Sequence, residues 1–211
     1  MVKGLAFGAL VAFSATAAHA EAKGGPRIEA HLGWDQHGIT SLLSDSNVSY
    51  VNARSSDGFT YGGEVGYDLP LGNVTIGVYA GANLSSAGEC EPIAVVNEMC
   101  ITSGRSFYGG VRVGYQLSDG ILAYAKGGYS NGRITTSYKD VVTPANGGAA
   151  HDDFSGYHVG GGVQVDLSAA VYAKLEYLHT NYQDYEERGG TAVFGTRVDR
   201  NTLLYGMGLR F

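Results

Sequence analysis

From Arg27 to the C-terminus, apolar residues recur at every second position in segments of about ten residues, which is the period of a β-strand with two different faces. In the segment 74–83, Val, Ile, Val, Ala and Ala alternate with Thr, Gly, Tyr, Gly and Asn. Eight segments follow this rule: 27–34, 59–68, 74–83, 107–117, 121–131, 154–167, 171–181 and 201–211. The alternation therefore predicts an all-β, eight-stranded, antiparallel up-and-down barrel.

The composition of the two faces predicts which one points outward. One face carries Val, Leu, Ile and Tyr, and the other carries Gly, Thr and charged residues. A soluble barrel or sandwich has the same period but fills its interior with large apolar side chains. An apolar face that points outward requires lipid, so we expect a transmembrane barrel.

Connections between the predicted strands alternate in length. Short turns are expected at 70–72, 118–120 and 168–170, and four long loops near 36–57, 85–105, 132–153 and 182–200. Barrels of the outer membrane have short periplasmic turns and long extracellular loops. The pattern predicts an even number of strands with both ends of the barrel domain on the periplasmic side.

The N-terminal segment has the features of a secretory signal. Lys3 precedes a short apolar run, and Ala18-His19-Ala20 has the small-x-small form that a signal peptidase accepts. The run is too short to span a hydrocarbon core of about 30 Å as a helix. We therefore expect residues 1–20 to be a signal peptide and 21–211 to be the barrel domain.

Composition and charge narrow the class of protein further. Glycine makes up 33 of 211 residues, roughly 16% against a usual 7%, and there are 15 tyrosines but only four prolines. These counts suit a tight closed sheet with aromatic belts. The formal net charge of −6 argues against a nucleic-acid partner.

Five stretches resemble the small outer-membrane β-barrel or "porin family" proteins, akin to opacity-type surface antigens and the OmpA transmembrane domain. They are Gly-Val-Arg-Val-Gly-Tyr-Gln-Leu at 110–117, Tyr-Ala-Lys-Gly-Gly-Tyr at 124–129, Gly-Tyr-His-Val-Gly-Gly-Gly-Val-Gln-Val at 156–165, Ala-Lys-Leu-Glu-Tyr at 173–177 and the terminal Leu-Leu-Tyr-Gly-Met-Gly-Leu-Arg-Phe. The resemblance implies the outer membrane of a Gram-negative bacterium. It also implies contact with lipopolysaccharide and other outer-membrane lipid, the barrel assembly machinery and periplasmic chaperones.

The terminal strand is the most specific part of the resemblance. In the family, a C-terminal aromatic residue preceded by alternating apolar residues is read by the assembly machinery; here the set is Tyr205, Met207, Leu209 and Phe211. One departure lies at Leu178, where the family commonly carries an arginine shortly after the glutamate of strand seven. A charge pair that depends on that arginine is not expected in this chain.

Cys90 and Cys100 lie within one long loop of a protein predicted to be exported, which favours a disulfide between them. Neither a redox motif nor a metal site is indicated, since close cysteine spacing and nearby histidines are lacking. The histidines show no ligand spacing within one element. We expect no metal, no cofactor and no catalytic residues.

The alternation of inward and outward positions places four charged residues inside the barrel near mid-height: Glu64, Arg112, Lys126 and Glu176. In a narrow lumen we expect the two acids and two bases to neutralise one another as a structural plug, with an openable gate as the alternative. Strand five is the least regular, because an inward Lys126 also turns Leu122 and Tyr124 inward, and a β-bulge could occur there.

Aromatic residues at the strand ends predict two interfacial belts. Trp34, Phe59, Tyr129 and Tyr157 are expected at the outer interface, and Tyr67, Tyr115 and Phe211 at the inner one.

The functional prediction is a non-enzymatic surface protein that contributes to envelope integrity and displays its loops outward. The alternative is a narrow, porin-like channel for small solutes. A lipid A-modifying enzyme is a third hypothesis. Small barrels of that kind place a serine and a histidine on the outer face near the rim, and the residues after His179 include no serine at the corresponding position, which weakens this hypothesis.

Overall fold

A computed structural model describes residues 23–45, 48–94, 97–140, 148–182, 185–189 and 192–211. At 39–54, 89–101, 138–150 and 185–197, and at 103, 134, 136 and 152, the description covers at most the backbone. The described part of the chain forms ten strands. They are β1 (Gly25–Asp45), β2 (Val48–Leu71), β3 (Val74–Ser85), β4 (Gly88–Ala94), β5 (Asn97–Ser118), β6 (Ile121–Asp140), β7 (Gly148–Asp166), β8 (Val171–Tyr182), β9 (Tyr185–Gly189) and β10 (Ala192–Arg210).

Eight of these strands close into the predicted antiparallel barrel. Its order is β1-β2-β3-β5-β6-β7-β8-β10, and pairing of β1 with β10 closes the sheet. The two short strands stand outside this cycle, because β4 pairs with β5 and β9 pairs with β10. Closure leaves the barrel without an unpaired strand edge, which a spanning sheet requires.

The short turns lie at one end of the barrel, which we call the turn end. Gly72 and Gly120 have φ of +65° and +79°, a conformation that glycine adopts without a steric penalty. At the third turn, between β7 and β8, the backbone N–H groups of Leu167 and Ser168 donate to the carbonyl of Val171. Phe211 also lies at this end, where its N–H donates to the carbonyl of Pro26.

The opposite end, which we call the hairpin end, differs from the predicted irregular loops. β1 and β2 stay paired out to Asp45 and Val48, so most of the expected loop at 36–57 is regular β-hairpin. Hairpins likewise occupy much of the other three expected loops. The alternation of apolar residues stops near the predicted outer belt, but the hydrogen-bonded ladder continues beyond it.

Burial follows the predicted faces of the strands. The charged side chains of Lys126 and Glu176 are 3% and 1% exposed, whereas the apolar Phe59 and Val111 are 62% and 58% exposed. This distribution is the reverse of that in a soluble protein and fits a surface covered by lipid.

The predicted strand five, which is β6, needs no bulge at Lys126. Leu122, Tyr124 and Lys126 all point inward, and the pairing with β5 is continuous from 122 to 132. The irregularities fall at the two ends of that stretch, next to the turn at Ser118 and between Ser103 and Ser106.

Candidate functional site in the barrel lumen

Eight ionisable side chains fill the half of the lumen nearer the turn end. Every one is at most 3% exposed, and the period of two places them on the inner face of their strands. The cations are Arg27, Arg112, Lys126 and Lys174, and the carboxylates are Glu29, Glu64, Asp68 and Glu176. Four positive and four negative groups leave this cluster, which we call the lumen cluster, without net formal charge.

Lys126 is the centre of the lumen cluster. Its Nζ lies 2.6 Å from Glu64 Oε2 and 3.3 Å from each carboxylate oxygen of Glu176. The ammonium also lies 4.0 Å from the centroid of the Tyr79 ring, a cation–π contact. Tyr124 donates a hydrogen bond of 2.6 Å to Glu176, so that carboxylate is held from two sides.

Glu29 organises the neighbouring part of the cluster. It contacts both Arg27 and Lys174, and it accepts a hydrogen bond of 2.7 Å from the Tyr172 hydroxyl. Arg27 also reaches Glu64 at 2.8 Å, which links the Glu29 contacts to those of Lys126. The charged groups therefore form one connected network rather than separate pairs.

Arg112 binds a different carboxylate from the one that the sequence suggested. Its Nε and Nη2 donate to the two oxygens of Asp68 at 2.9 and 2.5 Å, and Nη2 lies 3.5 Å from Gln164 Oε1. The expected pairing of Arg112 with a glutamate of the predicted quartet is therefore wrong. Gly77 lies between Asp68 and Arg112 in the sheet, and a Cβ there would be 2.2 Å from Asp68 Oδ1.

A layer of neutral side chains covers the lumen cluster toward the hairpin end. The Tyr79 hydroxyl is 2.5 Å from His158 Nε2, and His158 Nδ1 is 2.8 Å from Ser130 Oγ. Between β1 and β3, His31 Nε2 lies 2.6 Å from Asn83 Oδ1. The period of two predicts that Tyr79 and His158 point inward, but it does not predict that they lie at the same depth.

A further buried ion pair, separate from the lumen cluster, lies near the hairpin end. Arg200 donates to both oxygens of Asp35 at 2.7 and 2.6 Å, and Thr202 donates to Asp35 at 2.7 Å. Arg200 Nη1 also reaches Ser106 Oγ at 3.1 Å. Above this pair, a cavity of about 20 Å³, enough for one water molecule, is lined in part by His37, Gly132, Tyr182 and Val198.

Half of the lumen cluster was not predicted from the sequence, namely Arg27, Glu29, Asp68 and Lys174. Their inward direction followed from the same alternation, and the unused information was the stagger between strands. The register pairs Glu29 on β1 with Glu64 on β2, and through β3 it brings Asp68 level with Arg112. Alternation along a strand predicts which face a residue lies on, but only the pairing register between strands gives the depth of that residue in the lumen.

The predicted belt residues are all exposed on the outer face. Trp34 pairs with Phe59 in an edge-to-face contact of 5.0 Å, and Tyr129 lies opposite Tyr157. Tyr67, Tyr115 and Phe211 are exposed in the turn-end half, with Phe211 at 74%. Of the proposed assembly residues, Tyr205, Met207 and Leu209 share the outward face with Phe211. Their depth in a membrane and recognition by the assembly machinery stay predictions.

The cysteine prediction falls on side chains outside the described part. The backbone places Cys90 directly opposite Cys100 in the hairpin of β4 and β5. The disulfide stays a prediction, and the predicted signal peptide at 1–20 lies outside the described residues. In the described part of the chain, no three His, Cys, Asp or Glu side chains are grouped to hold a metal ion. The same part contains no helix with the length and apolarity needed to cross a membrane.

A closed eight-stranded barrel with an apolar exterior and an ion-paired interior defines the class as a membrane-spanning β-barrel. The sequence model of the family described as "Outer membrane protein beta-barrel domain" matches residues 5–211, so the chain belongs to that family. It is 30% identical over 169 residues to the "22 kDa outer membrane protein" of Rhizobium leguminosarum bv. viciae, a match covering 74% of this chain and 70% of that protein. The predicted location in the outer membrane of a Gram-negative bacterium is thereby confirmed.

Two solved structures share the fold. Neisserial surface protein A is 14% identical with a TM-score of 0.54, covering 89% of this chain and 97% of that one. The outer membrane protease OmpT from Escherichia coli is 10% identical with a TM-score of 0.51, covering 95% and 99%. At these identities the similarity shows the fold alone.

Proposed function

We propose that this protein is a non-enzymatic surface barrel whose lumen is closed to solutes. The observation that carries the proposal is that polar contacts cross the interior at three levels. Lys126 on β6 binds Glu64 on β2, and Tyr79 on β3 meets His158 on β7, each pair three strands apart around the wall. Arg200 on β10 reaches Ser106 on β5, which lies diametrically opposite.

Charge placement favours closure over a water-filled channel. Neighbouring strands carry like charges at the same level: Glu29 lies beside Glu64, and Arg112 beside Lys126. Some pairs of opposite charge lie along the wall, as Arg27 does with Glu64 on the neighbouring strand. Others join strands that are not neighbours: Lys126 on β6 binds Glu64 on β2, and Arg112 on β5 binds Asp68 on β2. An eight-stranded barrel is narrow enough for side chains to fill it, and separating a buried ion pair costs several kcal/mol.

The hairpins support the surface part of the proposal. From Trp34, in the predicted outer belt, β1 continues to Asp45, which at about 3.3 Å per residue extends roughly 35 Å along the strand. β2 pairs with it on one side over this length, and β10 pairs with it on the other side out to Ser44. A sheet extended in this way stands clear of the membrane and offers a surface for contacts outside the cell.

Single-channel recording in a planar bilayer tests the closed lumen. Because the lumen cluster and the Asp35–Arg200 pair lie in series, we would compare the parent with Arg112→Ala, Arg200→Ala and the double variant. The expected result is almost no current for the parent, a small increase for each single variant and the largest for the double. Val159→Ala, on the outer face, is the matched control.

Large and steady parent currents that these substitutions leave unaltered would contradict the closed lumen and favour the solute channel. Mass spectrometry of lipid A from cells with and without the gene tests the non-enzymatic part. We expect identical acyl patterns, and a changed pattern would favour the lipid A-modifying hypothesis.

A further inference from the structure

We infer that the outer face of β5, β6 and β7 at the hairpin end is a binding site for the phosphorylated headgroup of an outer-leaflet glycolipid, of the lipopolysaccharide class. The site consists of three outward rows, which we call the headgroup ladder. It is separate from the lumen, so it does not depend on the lumen being closed.

The lowest row of the headgroup ladder is aromatic. Tyr129 and Tyr157 lie opposite one another and are 55% and 60% exposed, and Phe107 is exposed one step closer to the hairpin end. Exposed aromatic rings of this kind lie at the boundary between the acyl chains and the headgroups. This row sets the depth of the site.

The middle row can form hydrogen bonds without charge. Asn131 lies opposite Phe107 on one side and Ser155 on the other, and its Nδ2 donates to Ser155 Oγ at 3.2 Å. An amide and a hydroxyl suit the hydroxyl groups of a sugar. They lie between the aromatic and charged rows, as sugar hydroxyls would.

The upper row is cationic. Arg105 lies two residues from Phe107 on β5 and Arg133 two residues from Asn131 on β6, so strand alternation places both side chains on the outer face. Ser103 pairs with Ile134 and Ser106 with Gly132, so two residues of β5, one of them Arg105, oppose the single Arg133 of β6. The Arg105 guanidinium lies 5.6 Å from the centroid of the Phe107 ring, which holds it against the row below.

Arg133 makes a bidentate ion pair with Asp153 within the same row. Its Nε and Nη2 donate to the two oxygens of Asp153 at 2.8 and 3.0 Å, and both side chains are partly exposed. Hydrogen bonds from Arg133 lower the pKa of Asp153, and the charge of Arg105 contributes a smaller attraction. The described side chains of the row thus carry two cations and one carboxylate, in a chain of net charge −6.

The order of the rows determines the ligand. A guanidinium prefers bidentate contact with phosphate or carboxylate, and an exposed ion pair such as Arg133–Asp153 can exchange its carboxylate at little cost. Acyl chains beside aromatic rings, sugar beside Asn131 and Ser155, and phosphate beside the arginines match one amphipathic molecule. The outer leaflet of the membrane in which this family resides supplies such a glycolipid.

The test is binding of purified lipopolysaccharide to the full barrel in detergent, measured by native mass spectrometry. Arg105→Gln/Arg133→Gln should weaken binding by about tenfold or more, the effect expected on losing charge-assisted hydrogen bonds worth about 1.4 kcal/mol. Lys23→Gln removes a cation at the turn end, where Lys23 pairs with Asp166, and should leave binding unchanged. Heat-dependent gel mobility checks that each variant is folded.

Two further arms separate this site from alternatives. Asp153→Asn frees Arg133 from its carboxylate and should strengthen binding, a gain that a purely structural role would not produce. The parent protein should bind dephosphorylated lipopolysaccharide as weakly as the double variant binds the intact, phosphorylated lipid. Equal binding of both lipids, or displacement of the lipid by millimolar inorganic phosphate alone, would overturn the inference.

Discussion

Large inward side chains of the lumen lie beside glycines on neighbouring strands. A Cβ at Gly208 would lie 2.3 Å from the ring of Tyr172, and one at Gly81 would lie 2.4 Å from the Tyr108 hydroxyl. A Cβ at Gly66 would lie 2.7 Å from the Arg27 guanidinium. These three glycines therefore have a steric cause, since each provides the space that a tyrosine or a charged group fills.

Gly208→Ala should destabilise the barrel because the new methyl group collides with Tyr172, which is 1% exposed and donates to Glu29. We expect a loss of about 1 to 3 kcal/mol, as for other overpacked sites. Gly127→Ala is the control, because its Cβ would meet the His158 carbonyl oxygen at an ordinary 3.5 Å, and it should stay within about 0.5 kcal/mol of the parent. Urea unfolding in lipid vesicles measures both variants, and equal losses would contradict the steric explanation.

At the residue scale, the sequence predicts whether a side chain points inward or outward better than it predicts which residue that side chain contacts. Alternation placed Arg112 inward, but its partner is Asp68, because Gly77 on the strand between them lets the two side chains meet. That contact depends on the stagger of three strands. Sequence periodicity within one strand carries no information about this stagger.

At the scale of the strands, prediction succeeded where the membrane imposes a pattern. The eight spanning segments followed from alternating apolar residues, since lipid on one side and a polar lumen on the other give each strand two faces. Beyond the predicted belts lipid no longer requires one apolar face, and the sequence pattern disappears. For this reason the sequence predicts a loop in the region beyond Trp34, where β1 in fact stays paired with both β2 and β10.

The outward face of β5 provides a test of the lipid exposure. Val111 pairs with Val78 and Gly127, and its side chain is 58% exposed near the middle of the apolar band. Val111→Arg should cost about 2 to 4 kcal/mol of folding free energy in vesicles. Thr102→Arg lies on the same strand beyond the aromatic residues and should change stability by only about 0 to 1 kcal/mol. Similar free energies for both variants would refute the assigned facing.

At the scale of the whole molecule, the neutrality of the lumen cluster explains how eight ionisable groups can be buried together. Each charge has an opposite partner within reach, and tyrosine hydroxyls supply further hydrogen bonds to Glu29 and Glu176. Removing one member leaves a buried charge without compensation, which is more costly than removing a complete pair. The cluster should therefore respond to mutation as a unit.

A double-mutant cycle on Glu64 and Lys126 tests this response, because their contact of 2.6 Å joins two strands that lie three apart around the wall. Lys126→Met leaves Glu64 and Glu176 short of one cation, and Glu64→Gln leaves Lys126 and Arg27 short of one carboxylate; we expect each to cost about 3 to 5 kcal/mol. The double variant restores neutrality, because Arg27 keeps Glu29 and Glu176 keeps Lys174. It should lose much less than the sum of the single variants, with a coupling energy of about 1 to 3 kcal/mol in urea unfolding. Additive losses would mean that these groups are solvated independently by water in the lumen, and a solvated lumen is the condition under which the barrel would conduct.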